Sequence, residues 1–507
     1  MIDRIRRLYP KGPVARRLKP RLRPSFRFAE RVLWFVVRLL MRVFRLPIRI
    51  VRKLTLYNAR MNAATYWPGV RGVDRYLLAF GLAVSRYQME AVELMGRYAP
   101  KWRRRKGRQE VHGRTVLHVT CSFDLGGTQT QLRNLCLAPD PRWKHEVVEI
   151  FPEQNYLYRR DAKIDPQRYA GPTAVERTLG RLVENVNTRS AQLFQIYKLV
   201  KDIRALNPDI VVGWGHELCV LTFIAGAICR TPHIVFCVRT FNPGYGWMYP
   251  PMDRIATESH RRMLPELSGV IVNSTPLQQD YAQWVQAPPA QIAVCANGID
   301  IAGIPPDEAA TLRASIRGRY DIAPGTIAIV HIGRFSGEKG QMSLVKANQI
   351  LRQRLPGKDF CFVLCGDGPT LPDVQAFAAR HRMSNVVFPG RTNEVRAFLA
   401  AGDIFVMPSD FEGMPNAMME AMADGLPCIS TDRSGAVDVA RDGKEALYYP
   451  PRDEAALARH LERLILDPDE RRRLGQQAQA RMKEFTVTRF VKSFDALMDD
   501  VIGAAHP

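Results

Sequence analysis

Short apolar runs rich in β-branched residues alternate with amphipathic stretches from residue 111 onward. This alternation is typical of β-α units that build a parallel sheet. A turn-like Asn-Gly-Ile-Asp sequence at 297–300 divides the predicted strands into two groups: 115–122, 145–151, 210–214, 233–238, 269–273 and 291–295, then 326–332, 360–365, 385–388, 404–407 and 427–430. We predict an α/β protein with two facing Rossmann-like domains, 111–299 and 300–507, whose last helix returns to the first domain. Ligands of such domains bind at the carboxyl ends of the strands, so the site should lie between the domains.

The first 110 residues have a different pattern. Arginines recur at intervals of three, four or seven between residues 31 and 52, opposite bulky apolar residues, which predicts a basic amphipathic helix. The arginines interrupt every apolar run that could otherwise cross a bilayer. Residues 1–110 therefore form a predicted helical extension that lies on an anionic membrane surface. Packing of these helices on the globular body is the alternative.

Charge supports this division of the chain. The formal net charge is +23, and residues 1–110 alone hold 28 Lys or Arg against 6 Asp or Glu. The remaining residues are close to neutral, so the basic character belongs to the extension. Its aliphatic side chains outnumber the aromatic ones that stack on bases, which argues against nucleic acid as the partner. Nine cysteines without a CxxC pair or a preceding secretory signal indicate free thiols in a reducing compartment.

The clearest candidate site is the segment 409–423, which follows the predicted strand 404–407. Glu412 falls in a loop and Glu420 about one turn into the next helix. Gly413 permits a close backbone approach, and the amino end of the helix offers unpaired N–H groups to an anion. We predict that a phosphate binds there, beside the backbone of Met414, Pro415 and Asn416.

Three further loops follow predicted strands. Arg334 and Lys339 can together offset the charge of a diphosphate without a metal, unless they are two surface cations of a turn. Gly366 belongs to a tight turn after 360–365, and Gly126 and Gly127 allow close approach of a first-domain loop to the phosphates. This loop is not the GxGxxG fingerprint of dehydrogenases. The one DxD triplet, Asp467 to Asp469, begins a late helix and is predicted to be an N-cap rather than a metal site.

The motifs GGTQTQLRNL, NGID, GRFSGEKG, CGDGP, PGRTNEV and PSDFEGMPNAMMEAMADGLPCIST, in this order, resemble those of the retaining GT-B glycosyltransferases of family 4. The resemblance covers residues 113 to about 500. It implies a metal-independent transfer of a sugar with retention of configuration, with no cofactor and a UDP- or GDP-sugar as the substrate.

The resemblance also implies a role for individual residues. Arg334 and Lys339 would bind the diphosphate with help from Gly127, Glu412 would lie by the donor sugar, and Glu420 would hold the ribose. Arg391 would lie beside the base. Where many members have a histidine after the fourth strand, this chain has Arg239, so a histidine role does not carry over. Arg239 and His216 are candidate sugar or acceptor contacts, and His216 is equally well a structural residue at a helix start.

We therefore expect a glycosyltransferase at the cytoplasmic face of the inner membrane that acts on a lipid-linked or polysaccharide acceptor. Two alternatives stay open at this point. A nucleotide-sugar epimerase of the same fold would need no acceptor, and a catalytically silent scaffold would bind a nucleotide sugar or a protein partner.

Overall fold

The computed structural model describes residues 114–120, 126–138, 142–150, 190–243 and 250–503. The predictions made for the basic extension, 1–110, fall outside these residues. Within the described ranges, every helix is too short or too polar to span a bilayer.

A six-stranded parallel sheet with the order β2-β1-β3-β4-β5-β6 forms the first domain. Its strands are β1 Arg114–Thr120, β2 Trp143–Glu149, β3 Ile210–Trp214, β4 His233–Val238, β5 Gly269–Val272 and β6 Ala293–Val294. The described helices that connect them are α1 Gly127–Leu137, α2 Ser190–Leu206, α3 His216–Cys229, α4 Pro250–Met263 and α5 Thr275–Val285.

The second domain has a parallel sheet of the same size, with the order β12-β11-β10-β7-β8-β9. Its strands are β7 Ile327–Ile332, β8 Phe360–Cys365, β9 Val386–Gly390, β10 Ile404–Met407, β11 Cys428–Thr431 and β12 Ala446–Tyr449. Its helices are α6 Pro306–Arg319, α7 Gln341–Arg354, α8 Leu371–Arg380, α9 Val395–Ala401, α10 Asn416–Ala423, α11 Ala436–Val439, α12 Glu454–Leu466 and α13 Pro468–Met482.

Central strands are apolar throughout because helices cover both faces of each sheet. All residues of β3, β8 and β10 are buried, for example. Polar residues mark several helix starts. The Ser274 hydroxyl accepts a hydrogen bond from the Leu277 amide, and the Asp453 carboxylate accepts one from the Ala456 amide. Each bond satisfies a donor that the helix itself leaves free.

The predicted α/β fold of two Rossmann-like domains is confirmed, with local differences. The predicted strand 291–295 shortens to β6, because Pro289–Gln291 forms a 3-10 turn first. Strand β12 was not predicted. It has only four residues and follows a turn around Gly443, which has a φ of +68°, so it lacks a hydrophobic period of its own. Its place is set by pairing with β11.

The last helix, α14 Val487–Gly503, belongs by packing to the first domain. Phe490, Phe494 and Met498 are buried in the core cluster that includes Val116 and Trp214. The two chain crossings between the domains run side by side, because the Ile299 amide donates to the Phe485 carbonyl at 2.9 Å. The domains are therefore joined at a double crossing.

Candidate active site

The second sheet changes direction between β7 and β10. The chain proceeds through β8 and β9 on one side of β7 and through β11 and β12 on the other side of β10. At such a switch point the loops at the carboxyl ends of neighbouring strands diverge and leave a crevice. The loop after β7 carries Arg334 and Lys339, and the loop after β10 carries Glu412. The topology thus brings together the three residues that the sequence singled out as catalytic.

Lys339 and Glu412 form an ion pair across these two loops. The Lys339 Nζ lies 2.7 Å from Glu412 Oε1 and 2.5 Å from Oε2, and both side chains are about one-fifth exposed. Arg334 is exposed, and among the described residues its guanidinium has no hydrogen-bond or ion-pair partner. We predicted from the sequence that Arg334 and Lys339 together offset a diphosphate, whereas in the structure Glu412 neutralises the Lys339 charge. The three side chains together carry one net positive charge.

A buried histidine supports the loop that carries Arg334. His331 is fully buried, and burial, with the nearby Lys339 charge, lowers its pKa to about 4. The neutral ring donates from Nδ1 to the Val406 carbonyl at 2.9 Å and accepts at Nε2 from the Gln341 amide at 3.1 Å. The same Gln341 nitrogen donates to the Arg334 carbonyl at 2.7 Å. The backbone at Arg334 is therefore tied to the core of the sheet.

Gly366 lies beneath this loop. A Cβ on Gly366 would overlap the carbonyl oxygen of Gly333, and its φ of +142° is one that side chains disfavour. Its amide donates to the Gly390 carbonyl at 2.8 Å. Gly366 thus contributes close backbone packing under the Arg334 loop, and Arg391, which follows Gly390, is exposed beyond the end of β9.

The segment after Glu412 leads directly into α10. Gly413, Met414 and Pro415 are buried, Pro415 occupies the N-cap position, and the helix begins at Asn416. The Met419 amide donates to the Pro415 carbonyl at 3.1 Å, so the first three helical amides have no partner within the helix. Such an amino end favours an anion, as the sequence predicted.

Glu420 is the fifth residue of α10 and is half-buried. Burial, and then the negative charge of Asp424, raises the pKa of Glu420 to about 7, against a smaller opposing effect of Arg396. Near neutral pH the carboxyl group is therefore divided between its protonated and ionised forms. A carboxyl in this state can be ionised by a ligand whose hydroxyls donate to it.

The first domain meets this segment through glycines. The Asn416 Nδ2 donates to the Gly127 carbonyl at 3.2 Å, next to Gly126 at the start of α1. A Cβ on Gly413 would overlap the Arg239 carbonyl. The segment after β10 therefore touches the start of α1 and the segment after β4 of the first domain.

Arg239 and His216 lie at the carboxyl ends of the first sheet, and both are buried. The Arg239 Nη2 donates to Asn297 Oδ1 at 2.6 Å, and its guanidinium lies 5.0 Å from the centroid of Trp214. The His216 Nε2 lies 3.0 and 3.2 Å from the carbonyls of Thr240 and Phe241. In this structure the ring of His216 braces the segment that follows β4.

The sequence assigned no site role to four further residues of this region: His331, Gln341, Asn297, and Asn273, whose Oδ1 lies 2.7 Å from the position of a Cβ on Gly413. Asn297 carried a usable signal, because it is a polar residue directly after the end of the first sheet. No such signal marked His331, because a histidine within an apolar strand is interpreted as a core residue. None marked Gln341, which is the first residue of α7.

Among the residues that the structure describes, His, Cys, Asp and Glu side chains form no cluster of three or more that could hold a metal. The DxD triplet acts as predicted, because the Asp467 carboxylate accepts from the Glu470 amide at 2.9 Å and caps α13.

Comparison with known proteins identifies the family. The model described as Glycosyltransferase Family 4 matches residues 125–302, and the model described as Glycosyl transferases group 1 matches residues 326–467. The putative glycosyltransferase EpsF of Bacillus subtilis is 35% identical over 330 residues, which cover 62% of this chain and 79% of EpsF. The putative colanic acid biosynthesis glycosyltransferase WcaL of Escherichia coli is 31% identical over 37% of this chain, an alignment that spans 46% of WcaL.

Solved structures share the fold. Anabaena Alr3699/HepE, in a complex with UDP and glucose, superimposes with a TM-score of 0.62 at 20% identity and covers 76% of this chain and 99% of its own. The two family models divide the chain where the structure divides it, between the first sheet and the second. This chain belongs to the group 1, family 4 glycosyltransferases and has their two-domain GT-B fold.

Proposed function

We propose that this protein transfers a sugar from a UDP- or GDP-sugar to an acceptor with retention of configuration and without a metal. The observation that carries the proposal is the ion pair of Lys339 with Glu412 before the open amino end of α10, with Arg334 in the same loop as Lys339. Cations and helical amides stabilise a departing diphosphate, and a carboxylate suits the developing positive charge of a sugar. The complexes of HepE with UDP, and with UDP and glucose, support the choice of donor class.

The described residues suggest how the charge is handled. Arg334 has no competing anion within the described part of the chain and binds the diphosphate first, whereas Lys339 shares its charge with Glu412. As the bond between the sugar and the phosphate lengthens, negative charge grows on the diphosphate, which strengthens its attraction to Lys339. The acceptor hydroxyl attacks from the side that the leaving group departs from, and a phosphate oxygen takes its proton. No protein nucleophile is needed for this route.

The acceptor that we propose is a lipid-linked sugar or a growing surface polysaccharide held at the cytoplasmic face of the inner membrane. The name of WcaL, a putative colanic acid biosynthesis glycosyltransferase, supports a polysaccharide product. The basic residues of 1–110 support a position on anionic lipid.

A panel of nucleotide sugars tests the proposal. We expect the correct donor to raise the melting temperature and, with a polyprenyl-diphosphate-linked or polysaccharide acceptor, to give a product whose NMR coupling constants show retention. Transfer should survive EDTA. An inverted product, loss of activity in EDTA, or conversion of the donor to its epimer without an acceptor would each contradict the proposal.

A further inference from the structure

Asn297, in the first chain crossing between the domains, is hydrogen-bonded to both of them. Its side chain is 4% exposed. Oδ1 accepts from the Arg239 Nη2 at 2.6 Å, while Nδ2 donates to Asn416 Oδ1 at 2.6 Å and lies 3.4 Å from the Met414 carbonyl. Its backbone amide also lies 3.1 Å from the Met414 Sδ. One side chain thus links the end of β4 to the start of α10.

The partners fix the orientation of both amides. A guanidinium only donates and a carbonyl only accepts, so Asn297 must point Oδ1 to Arg239 and Nδ2 to Met414. Asn416 then receives a hydrogen bond at Oδ1, which leaves its Nδ2 to donate to the Gly127 carbonyl at 3.2 Å. The sequence of bonds from Arg239 through Asn297 and Asn416 to Gly127 therefore has a single direction. It holds the start of α10, in the second domain, against two segments of the first domain.

Arg239 is an unusual residue to bury. It is 7% exposed, its Nη1 has no hydrogen-bond partner, and within the described ranges no carboxylate pairs with it. A buried cation without a counter-charge is costly. Among the described residues, its guanidinium contacts the Trp214 ring, 5.0 Å away, the Asn297 amide and the Cys237 thiol. A charge-assisted bond to Oδ1 polarises the Asn297 amide and makes its N–H a stronger donor to Asn416.

Trp214 is itself held by a buried relay. Its Nε1 donates to His118 Nδ1 at 3.0 Å, His118 Nε2 lies 2.9 Å from His145 Nδ1, and His145 Nε2 lies 3.1 Å from Asp495 Oδ1. Because the Trp214 indole only donates, His118 must accept at Nδ1 and donate at Nε2, and His145 must do the same. These hydrogen bonds connect the Trp214 ring, against which the Arg239 guanidinium lies, to Asp495 of α14.

We propose that Asn297 and Arg239 are a positioning pair. Together they hold the start of α10 against the start of α1 at Gly127, in the geometry that glycosyl transfer requires. The proposal rests on the proposed function in one respect, namely that transfer is the reaction. Neither residue is a catalytic residue here, because both act through Asn416. A displacement of about 1 Å in such a constellation costs up to ~100-fold in rate.

Asn297→Asp separates positioning from stability. Aspartate keeps the acceptor for Arg239 and adds an ion pair, but it has no N–H for Asn416 and faces the Met414 carbonyl with a negative charge. We expect a melting temperature at or above that of the wild type, a kcat lower by about 10- to 100-fold with the donor found in the panel, and a Kd for UDP or GDP within about threefold. A purely structural role would leave kcat intact in this variant.

Two further variants and a control complete the test. Arg239→Lys keeps the charge without the planar fork and should lose kcat similarly, and Asn297→Asp combined with Arg239→Lys should be no worse than the more impaired single variant. The matched control is Asn348→Ala, because Asn348 is fully buried and paired reciprocally with Asn385 at 3.0 Å, just before β9. We expect this control to lower stability and to leave kcat of the folded enzyme unchanged.

Hydrogen exchange gives a readout that needs no turnover. In Asn297→Asp we expect faster exchange in residues 127–131 and 414–419 and unchanged exchange in the strands. Wild-type kcat with unchanged exchange in Asn297→Asp would overturn the positioning pair. If the wild-type protein transfers no sugar from the panel, the proposed function fails, and unchanged exchange would then still decide against the pair.

Discussion

Single side chains at the switch point set the charge that meets the donor. Glu412 holds Lys339 through both of its oxygens, so a nucleoside diphosphate bound as we propose would compete with Glu412 for the same ammonium group. Arg334 has no such competitor among the described residues. We infer that binding depends mainly on Arg334 and that Lys339 acts mainly as the leaving group develops its charge.

Opposite effects on binding and transfer follow from this arrangement. Glu412→Gln releases Lys339, so the affinity for UDP or GDP should rise about fivefold, corresponding to ~1 kcal/mol, while the rate of transfer falls. Lys339→Ala and Arg334→Ala should each reduce kcat/KM by about 100-fold or more. Isothermal titration calorimetry and steady-state kinetics measure the two quantities.

Lys358→Ala and Arg380→Ala are matched controls for these substitutions, because both residues are exposed and precede β8 and β9, away from the carboxyl ends of the strands. These control substitutions should change neither the affinity for UDP or GDP nor kcat/KM. Near-normal transfer in all three site variants would exclude the site.

The raised pKa of Glu420 predicts a pH dependence of nucleotide binding. At pH 6 a group with a pKa of about 7 is mostly protonated, and at pH 8 it is mostly ionised. In the proposed complex the ribose hydroxyls donate to the ionised form, so the affinity for UDP or GDP should increase about tenfold between pH 6 and pH 8, with release of a proton below pH 7. Glu420→Gln should remove this part of the dependence and leave only the titration of the nucleotide phosphate itself.

The same pKa fixes the sign of the effect on stability. The folded state holds this proton more tightly than the unfolded chain, so the contribution of Glu420 to the free energy of unfolding falls as pH rises from about 4.5 through 7. Glu420→Gln should therefore flatten the loss of stability over this range in the protein without nucleotide. A steeper loss in the variant would contradict the assignment.

At the scale of the elements, close backbone packing places the loops after β7 and β10. Gly340 joins the 3-10 turn Gly337–Lys339 to α7 with a φ of +68°, and a Cβ there would overlap the Pro408 carbonyl at the end of β10. The distance between the Lys339 and Glu412 backbones thus depends on the absence of a single methyl group.

Gly340→Ala should lower the free energy of unfolding by about 2 kcal/mol or more, since the backbone conformation and the overlap both disfavour alanine. It should also weaken UDP or GDP binding, because Lys339 moves with the loop. Gly337→Ala is the matched control three residues away, where a Cβ meets nothing within 4 Å. Urea denaturation and calorimetry would reveal the difference, and equal stability of the two variants would refute this account.

For the whole molecule, α14 makes the first domain depend on the end of the chain. Phe494 is fully buried within 5.7 Å of the His118 ring centroid and 6.0 Å of the Trp214 ring centroid. Phe494→Ala should cost about 3–5 kcal/mol of unfolding free energy. Leu466→Ala, at a position 49% exposed at the end of α12, should cost little. A small effect of Phe494→Ala in urea denaturation would show that the first domain is stable without this contact.

The proposed position at a membrane is a property of the whole chain as well. The full-length protein should sediment with vesicles that contain anionic lipid and much less with neutral vesicles, and the binding should weaken as salt rises. Replacing Arg38, Arg42, Arg45 and Arg49 by glutamine should reduce it further. Equal binding to neutral vesicles would contradict the electrostatic part of the proposal.

The fold and most of the candidate site could be predicted because both have local signals. Eleven of the twelve strands that the structure describes coincide with apolar runs in the sequence, since helices cover both faces of each sheet. Glu412, Arg334 and Lys339 stood out because each follows a strand in a loop with glycine. Strand β12 did not stand out in the sequence, because its four residues show no hydrophobic periodicity. They form a strand only by pairing with β11.

By itself, then, the sequence determined eleven of the twelve described strands, their order along the chain and the chemistry of the loops that follow them. These features are local, because the periodicity of apolar residues and the preferences of turn residues act over a few positions. Only the tertiary structure decided that Glu412 neutralises Lys339, that His216 braces the segment after β4, and that Asn297 links Arg239 to Asn416. These contacts join residues between 24 and 119 positions apart. Their pairing depends on the strand order and on the approach of two domains, which no local pattern records.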